Sequence, residues 1–270
     1  MRTLAVVFLT SILFSLSAFA AGSCPPELYG KPSSIKVDDK LLKRSDISPE
    51  DEFRIAVAYT EGEGVRQDLA SALTWYKLAA NHGSVGAQVN LALMYEHGCA
   101  TAPDAAEAFR WISRSVSEGY IPARNVLALY YINGVGVQKD LGHAMRLLRE
   151  ASEAGFVPAM YNLGVMYARG VFGSADDHEA LRWLDRAARK GLPQAQHALG
   201  LAYFQGAGVR QDKAEALRWF RRAAEQGDPD SEYALAVLYE RGIGVPRDTT
   251  ESGRWLARAR QHGVASAFVP

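Results

Sequence analysis

The feature that most constrains this fold is a strict repeat of 36 residues. Six tyrosines follow it: Tyr59, Tyr95, Tyr131, Tyr167, Tyr203 and Tyr239. Glycines keep the same spacing from Gly62 to Gly242 and from Gly83 to Gly263, as do aspartates from Asp68 to Asp248. A fixed period of this length indicates stacked copies of one supersecondary unit. The sequence therefore predicts six repeats over residues 49–263.

Each repeat has the pattern of a helical hairpin. In the fifth repeat, apolar residues between Ala195 and Tyr203 are spaced as on one helix face, and Gly206 stands where a left-handed residue ends a helix. Asp212 can then cap a second helix, with Glu215 completing a capping box. The predicted fold class is all-α.

The ends of the chain lie outside the repeats. Residues 1–20 combine Arg2, an apolar run from Leu4 to Leu16 and a small-x-small ending at Ala20, which is typical of a secretory signal peptide. The alternative, a membrane anchor, needs a longer run that serines do not interrupt. Residues 21–48 are then an N-terminal extension, and residues 264–270 form a C-terminal tail expected to cover the last hairpin.

Charge argues against some partner classes. The chain has 30 Lys and Arg residues and 30 Asp and Glu residues, whereas nucleic-acid and polybasic membrane binders are usually basic overall. The Gly-x-Gly-Val loops that begin at Gly62, Gly134, Gly206 and Gly242 could each cradle a phosphate, but four sites at a fixed interval are better explained as tight turns. We expect a protein that is soluble or lipid-anchored, without cofactor or metal.

The pattern from Ala195 to Gly227, with its Leu-Gly, Tyr, paired glycines, Asp, Trp and Ala-Ala, resembles the Sel1-like repeat, a relative of the tetratricopeptide repeat. The resemblance implies a right-handed α/α superhelical solenoid that acts as a protein-binding adaptor, often exported by bacteria. The family that it resembles also includes immunity factors against secreted phospholipase toxins and a Cys-rich subgroup linked to penicillin binding. Two loops, "GCATAPD" and "GVFGSADD", lack the paired glycines and are candidates for contact or cross-linking.

Enzymatic interpretations have little support. Ser33 and Lys36 match the spacing of a serine β-lactamase motif, but the accompanying motifs are missing. His178 begins "HEALR", which lacks the second histidine of a zinc-protease helix. His82 and His262 each precede a helix-ending glycine, where an imidazole can meet the last carbonyls. No catalytic residue is assigned.

The two cysteines allow two hypotheses. Cys24 and Cys99 form an even pair in a chain expected to be exported, which favours a disulfide. Alternatively, "AGSC" resembles a lipobox, and Cys24 would then carry an outer-membrane lipid anchor.

The leading hypothesis is a non-enzymatic periplasmic or secreted scaffold that binds a protein partner in a concave groove. Its specific form would be an immunity-type inhibitor of a secreted, type VI phospholipase-like toxin. The alternative is a cell-wall or β-lactam hydrolase. In the first helix of each repeat, one position is always a small residue. The positions three residues before it and four residues after it vary in type, and we predict that they line the partner groove. The groove residues are Phe53, Asn125, Tyr161, His197, Phe204 and Tyr233. The competing interpretation is that these side chains pack between hairpins.

Overall fold

The structure is a computed structural model that describes residue 37 and residues 46–263. The predicted signal peptide, nearly all of the N-terminal extension and the tail at 264–270 lie outside the described residues. Within them, residues up to Ala154 belong to one compact unit and residues from Gly155 belong to a second.

Each unit contains three helical hairpins, and no strand occurs in the described residues. The first unit comprises α1 (Pro49–Glu61), α2 (Leu69–Asn81), α3 (Val85–His97), α4 (Ala105–Ser117), α5 (Ile121–Asn133) and α6 (Leu141–Glu153). The second comprises α7 (Val157–Ala168), α8 (Asp177–Arg189), α9 (Pro193–Gln205), α10 (Lys213–Glu225), α11 (Pro229–Arg241) and α12 (Thr249–Gln261). We call the first helix of each hairpin its A helix and the second its B helix. The all-α prediction of six hairpins is confirmed.

The repeated aspartate begins every B helix. In each hairpin its carboxylate accepts a hydrogen bond from a backbone N–H of the first turn, as Asp212 does from Ala214 and Glu215. Because these N–H groups have no partner inside the helix, the aspartate satisfies donors that would otherwise depend on water.

The reciprocal half of the predicted capping box is not formed. The backbone N–H of Asp212 donates to the carbonyl of Tyr203 at 3.0 Å, so it needs no second acceptor. The Glu215 carboxylate instead accepts from Arg218 at 2.9 Å. The prediction was wrong here because the backbone carbonyl of the repeated tyrosine already accepts the hydrogen bond of this N–H group.

The loop glycines serve the turns between helices. Gly134 and Gly136 have φ values of +78° and +65°, which side chains disfavour. A Cβ at Gly136 would lie 2.0 Å from the carbonyl oxygen of Ala105, on the B helix of the preceding hairpin. These glycines therefore permit both a positive φ and a close approach of backbones, as the turn interpretation predicts.

Small residues let the A and B helices of a hairpin approach closely. A Cβ at Gly200 would lie 2.6 Å from the ring of Phe220, and one at Gly164 would lie 2.8 Å from Leu184 Cγ. Beside this contact the repeated tryptophan closes the hairpin, and Trp219 is buried. The core therefore runs between A and B helices, as the sequence pattern predicts.

The first repeat is covered from its N-terminal side. Val37, from the extension, packs with Ile55 and Ala58 in a buried apolar cluster. The first A helix begins as predicted, with Ser48 Oγ accepting from the backbone N–H of Asp51 at 3.1 Å. A terminal repeat lacks a neighbour on one side, and this cluster covers part of that open face.

Candidate functional site

Three of the six predicted groove residues are buried. Phe53, Asn125 and Tyr161 are 3%, 0% and 2% exposed. The Phe53 ring fills the space left by Gly86 of the next A helix, where a Cβ would lie 2.8 Å from it. Burial also raises the pKa of Tyr161 to about 12. These three side chains pack in the interior, so the groove prediction is corrected for them.

The other three predicted residues are half-buried and lie on consecutive A helices of the second unit. His197 and Phe204 stand on α9 with Leu201 between them, and Tyr233 and Val237 stand on α11. Spacings of three and four place the side chains of each helix on one stripe. We call these five residues the aromatic face.

A hydrogen bond joins the two helices that carry the aromatic face. His197 Nδ1 lies 2.8 Å from Ser231 Oγ, in the first turn of α11. The His197 ring also packs at 5.4 Å from the Phe220 ring, on the B helix of its own hairpin. Phe204 packs against the apolar cluster that contains Phe220 and Leu235. The aromatic face therefore rests on a fixed core while part of its surface stays accessible.

Burial lowers the pKa of His197, although the charges of Asp228 and Asp230 act in the opposite direction. The imidazole is therefore neutral at pH 7, since its ordinary pKa already lies below that value.

Asp228, His197 and Ser231 bring together the residue types of a hydrolytic triad, but their geometry does not support that chemistry. Both Ser231 Oγ and Asp228 Oδ1 face the same ring nitrogen, His197 Nδ1, at 2.8 and 3.6 Å. A working triad uses one imidazole nitrogen for each partner. Ser231 is also 0% exposed, so no substrate reaches its hydroxyl. The cluster joins α9 to α11.

The first unit contains a carboxyl group with a strongly perturbed pKa. Burial raises the pKa of Glu96, at the end of α3, to about 7, while a hydrogen bond from the Tyr130 side chain partly opposes that rise. Tyr130 lies on α5, so the group that acts on Glu96 belongs to the neighbouring A helix. Glu96 therefore changes charge near neutral pH inside the stack of hairpins.

The two helix-end histidines meet carboxylates instead of carbonyls. His82 Nδ1 lies 2.9 Å from Glu52, and His262 Nδ1 lies 2.8 Å from Glu232. Each pair joins the end of a B helix to the first turn of its own A helix, so the predicted helix-end placement is right and the expected acceptor was wrong. In the part of the chain that the structure describes, no three His, Cys, Asp or Glu residues are grouped as metal ligands.

Cys99 is 2% exposed and lies in the irregular loop of the second repeat. The next residue, Ala100, has a φ of +56°, at the position where four of the other five repeats have glycine. Cys24 lies outside the described residues, so its pairing with Cys99 stays a prediction. Among the helices of residues 46–263, none has the length and apolar character needed to cross a bilayer.

Comparisons with known proteins agree with this architecture. The Sel1 repeat matches residues 49–84, 85–120, 121–156, 157–192, 193–228 and 229–264. A Sel1 repeat protein from Oxalobacter formigenes is 35% identical over 80% of this chain and 62% of its own, with a TM-score of 0.72. A protective antigen of uropathogenic Escherichia coli strains that displays an SLR fold is 30% identical over 80% of this chain and 54% of its own, with a TM-score of 0.56.

The chain therefore spans less than two thirds of either relative. An immunity protein from Pseudomonas aeruginosa is 20% identical over 87% of this chain and 90% of its own, with a TM-score of 0.60, which shows a shared fold. No curated protein matches the sequence. Six consecutive matches, each coinciding with one helical hairpin, show that the chain belongs to the Sel1 repeat family.

Proposed function

We propose that this protein is a non-enzymatic scaffold of the periplasm that binds a protein partner on the aromatic face of repeats five and six. Sel1 repeats indicate a protein-interaction scaffold. The observation that carries the assignment to one face is the partial exposure of His197, Phe204 and Tyr233. At the same repeat position as His197 and Tyr233, the first four A helices have buried side chains, such as Phe53 and Tyr161.

The chemistry of the aromatic face suits protein recognition. Aromatic side chains that are already partly ordered lose little conformational freedom on binding and bury a large area, which makes them frequent hot spots. Leu201 and Val237 add apolar surface between the rings, and exposed Glu240 lies one turn beyond Val237. An apolar centre with a polar rim is the usual organisation of a protein interface.

Export is the part of the proposal that rests on sequence alone. The signal-peptide pattern of residues 1–20 supports a periplasmic location, and the described residues contain no helix able to span a membrane. N-terminal sequencing of the protein recovered from a periplasmic fraction tests it. A protein retained in the cytoplasm with Met1 intact would contradict it.

The binding assignment is tested by affinity capture from a periplasmic extract, followed by titration of the captured protein. Phe204→Ala with Tyr233→Ala should weaken binding by more than about 2 kcal/mol, since central aromatic anchors cost at least that when truncated. Helicity should change little, and melting should fall only in part, because both side chains are half-buried and Phe204 packs against the Phe220 cluster.

A matched control lies on the B helices of the same unit. Arg182→Ala with Arg218→Ala removes two exposed side chains from α8 and α10 and should leave affinity unchanged. If the control pair weakens binding and the aromatic pair does not, the partner binds elsewhere and the assignment fails.

A toxin inhibitor is the specific form of this scaffold that the resemblance favours. Two immunity proteins of Pseudomonas aeruginosa share the fold at 17% and 20% identity, which is a likeness of fold alone. If a secreted phospholipase is encoded beside this gene, co-production of the two proteins should protect the cell. That protection should be lost in the Phe204→Ala, Tyr233→Ala variant.

The hydrolase alternative gives a different result. Ser33 and Lys36 lie outside the described residues, and the Ser231 cluster lacks triad geometry. Turnover of nitrocefin or peptidoglycan by the purified protein, abolished by changing Ser33 or Lys36, would replace the scaffold proposal.

A further inference from the structure

One edge of the second unit is formed where A helices begin and B helices end. Polar side chains join the two helices of a hairpin across this edge. Gln226 Nε2 donates to Gln196 Oε1 at 2.8 Å in the fifth repeat, and His262 meets Glu232 at 2.8 Å in the sixth. The repeat position of Gln196 and Glu232, the fourth residue of the A helix, decides the charge at this edge.

In the sixth repeat the edge is neutralised. Arg258, on α12, stacks on Trp255 with its guanidinium 4.8 Å from the ring centroid. Its Nε lies 2.9 Å from Glu232 Oε1, and its Nη2 donates to the carbonyl of Ala224 on α10 at 3.0 Å. The guanidinium has little left to offer a ligand.

The same arginine recurs in repeats four and five without a carboxylate. Arg186 and Arg222 stack on Trp183 and Trp219 at 4.8 and 4.6 Å. Met160 occupies the position that Glu232 holds in the sixth repeat, and neither arginine forms an ion pair with any residue that the structure describes. Both are exposed, so each is a guanidinium held in place with free N–H groups.

Further residues give this edge an amphipathic character. Lys190, at the end of α8, is exposed and is not ion-paired within residues 46–263. Phe156 and Leu192 are half-buried residues that precede α7 and α9, and neither helix has an acidic residue in its first turn. We call Phe156, Arg186, Lys190, Leu192 and Arg222 the basic edge.

In the two terminal repeats the corresponding edge carries acids. The first repeat has Glu50, Asp51 and Glu52 in the first turn of α1, and the sixth has Asp230 and Glu232 in that of α11. The basic edge therefore differs in charge from the edges of the two terminal repeats, within a chain whose charges balance overall.

We propose that the basic edge binds the surface of an anionic phospholipid membrane. A planar guanidinium matches phosphate oxygens with two parallel hydrogen bonds. Large apolar side chains beside basic ones are typical of proteins that lie at the membrane interface. An acidic protein segment would use the arginines but gain nothing from Phe156 and Leu192, so the lipid surface explains more of the edge.

Vesicle flotation with the full chain tests the proposal. The protein should float with vesicles of phosphatidylcholine and phosphatidylglycerol, and less so at high salt, because screening weakens the attraction. It should stay behind with phosphatidylcholine alone, whereas a lipid anchor at Cys24 would bind both kinds of vesicle. Arg186→Gln with Arg222→Gln should weaken binding about thirtyfold, at about fivefold for each basic residue.

The control pair changes arginines one turn earlier on the same helices. Arg182 and Arg218 are each held at 2.9 Å by Glu179 and Glu215, so Arg182→Gln with Arg218→Gln should lower affinity by less than the first pair. Lys190→Gln, which touches no tryptophan stack, should cost about fivefold and covers the case in which the first pair unfolds. Equal losses from both pairs, indifference to phosphatidylglycerol or an unaffected Lys190→Gln variant would overturn the proposal.

Discussion

Replacing Glu96 by Gln should stabilise this protein above neutral pH. Burial raises the pKa of Glu96 from 4.5 to about 7, so the ionised carboxylate is poorly accommodated between α3 and α5. Each unit of pKa difference between the folded and unfolded chain corresponds to about 1.4 kcal/mol, which gives roughly 3 kcal/mol here. Gln keeps the shape and an acceptor for Tyr130 but cannot ionise.

The sign follows from proton binding. Between pH 4.5 and about 7, the folded chain holds a proton on Glu96 that the unfolded chain has released. The stability that this proton confers is complete below pH 4.5 and is lost as the pH rises through about 7. The difference between Glu96→Gln and the native chain should therefore be largest at pH 8 and should shrink toward pH 5.

Urea unfolding followed by circular dichroism at several pH values measures that difference. Glu240 is the matched control, because it occupies the same repeat position in the sixth repeat but is exposed and paired with Arg247 at 3.0 Å. Glu240→Gln should change the free energy of unfolding by less than about 1 kcal/mol, as expected for a surface ion pair. Equal stability of Glu96→Gln and the native chain at every pH would refute the burial argument.

Two further changes test the architecture of the hairpins. Gly136→Ala should destabilise the protein by about 1–3 kcal/mol, because the new Cβ would lie 2.0 Å from the Ala105 carbonyl oxygen and the residue has a φ of +65°. Gly64 has a φ of +74° but open space around it, so Gly64→Ala in the same melting experiment measures the backbone cost without the clash. Asp212→Ala removes the cap of α10 and should lower the free energy of unfolding by about 1 kcal/mol, whereas Asp212→Asn should lower it less. Equal melting temperatures for the native chain and both variants would show that the cap contributes nothing.

The sequence predicted the elements of the fold well because each repeat carries its own start and stop signals. Asp212 and Gly206 act on neighbouring backbone groups, so their roles can be read within a few residues. The capping-box prediction was wrong because one of its backbone groups bonds to a residue outside the local sequence. The backbone N–H of Asp212 donates to the carbonyl of Tyr203, which is close to Asp212 only in the folded loop.

Exposure of the groove positions was predicted less well, because it depends on the neighbouring hairpin. Phe53 is buried against Gly86 of the next A helix, yet Tyr233 at the same repeat position is half-buried. Variation in residue type suggested a binding surface, but a varying residue can also be matched by a varying partner in the core. Gly86 opposite Phe53 was the sequence signal that could have shown this.

Substitution at a single repeat position changes the chemistry of an edge without changing the helices. Glu232 ties down both Arg258 and His262, and Gln196 at the same position pairs only with neutral groups, leaving Arg222 without a carboxylate. Met160 leaves Arg186 in the same condition. The tryptophan stack holds the guanidinium in all three hairpins, whether or not a carboxylate lies beside it. A repeat protein can therefore vary the surface it presents at this edge while each hairpin keeps its core.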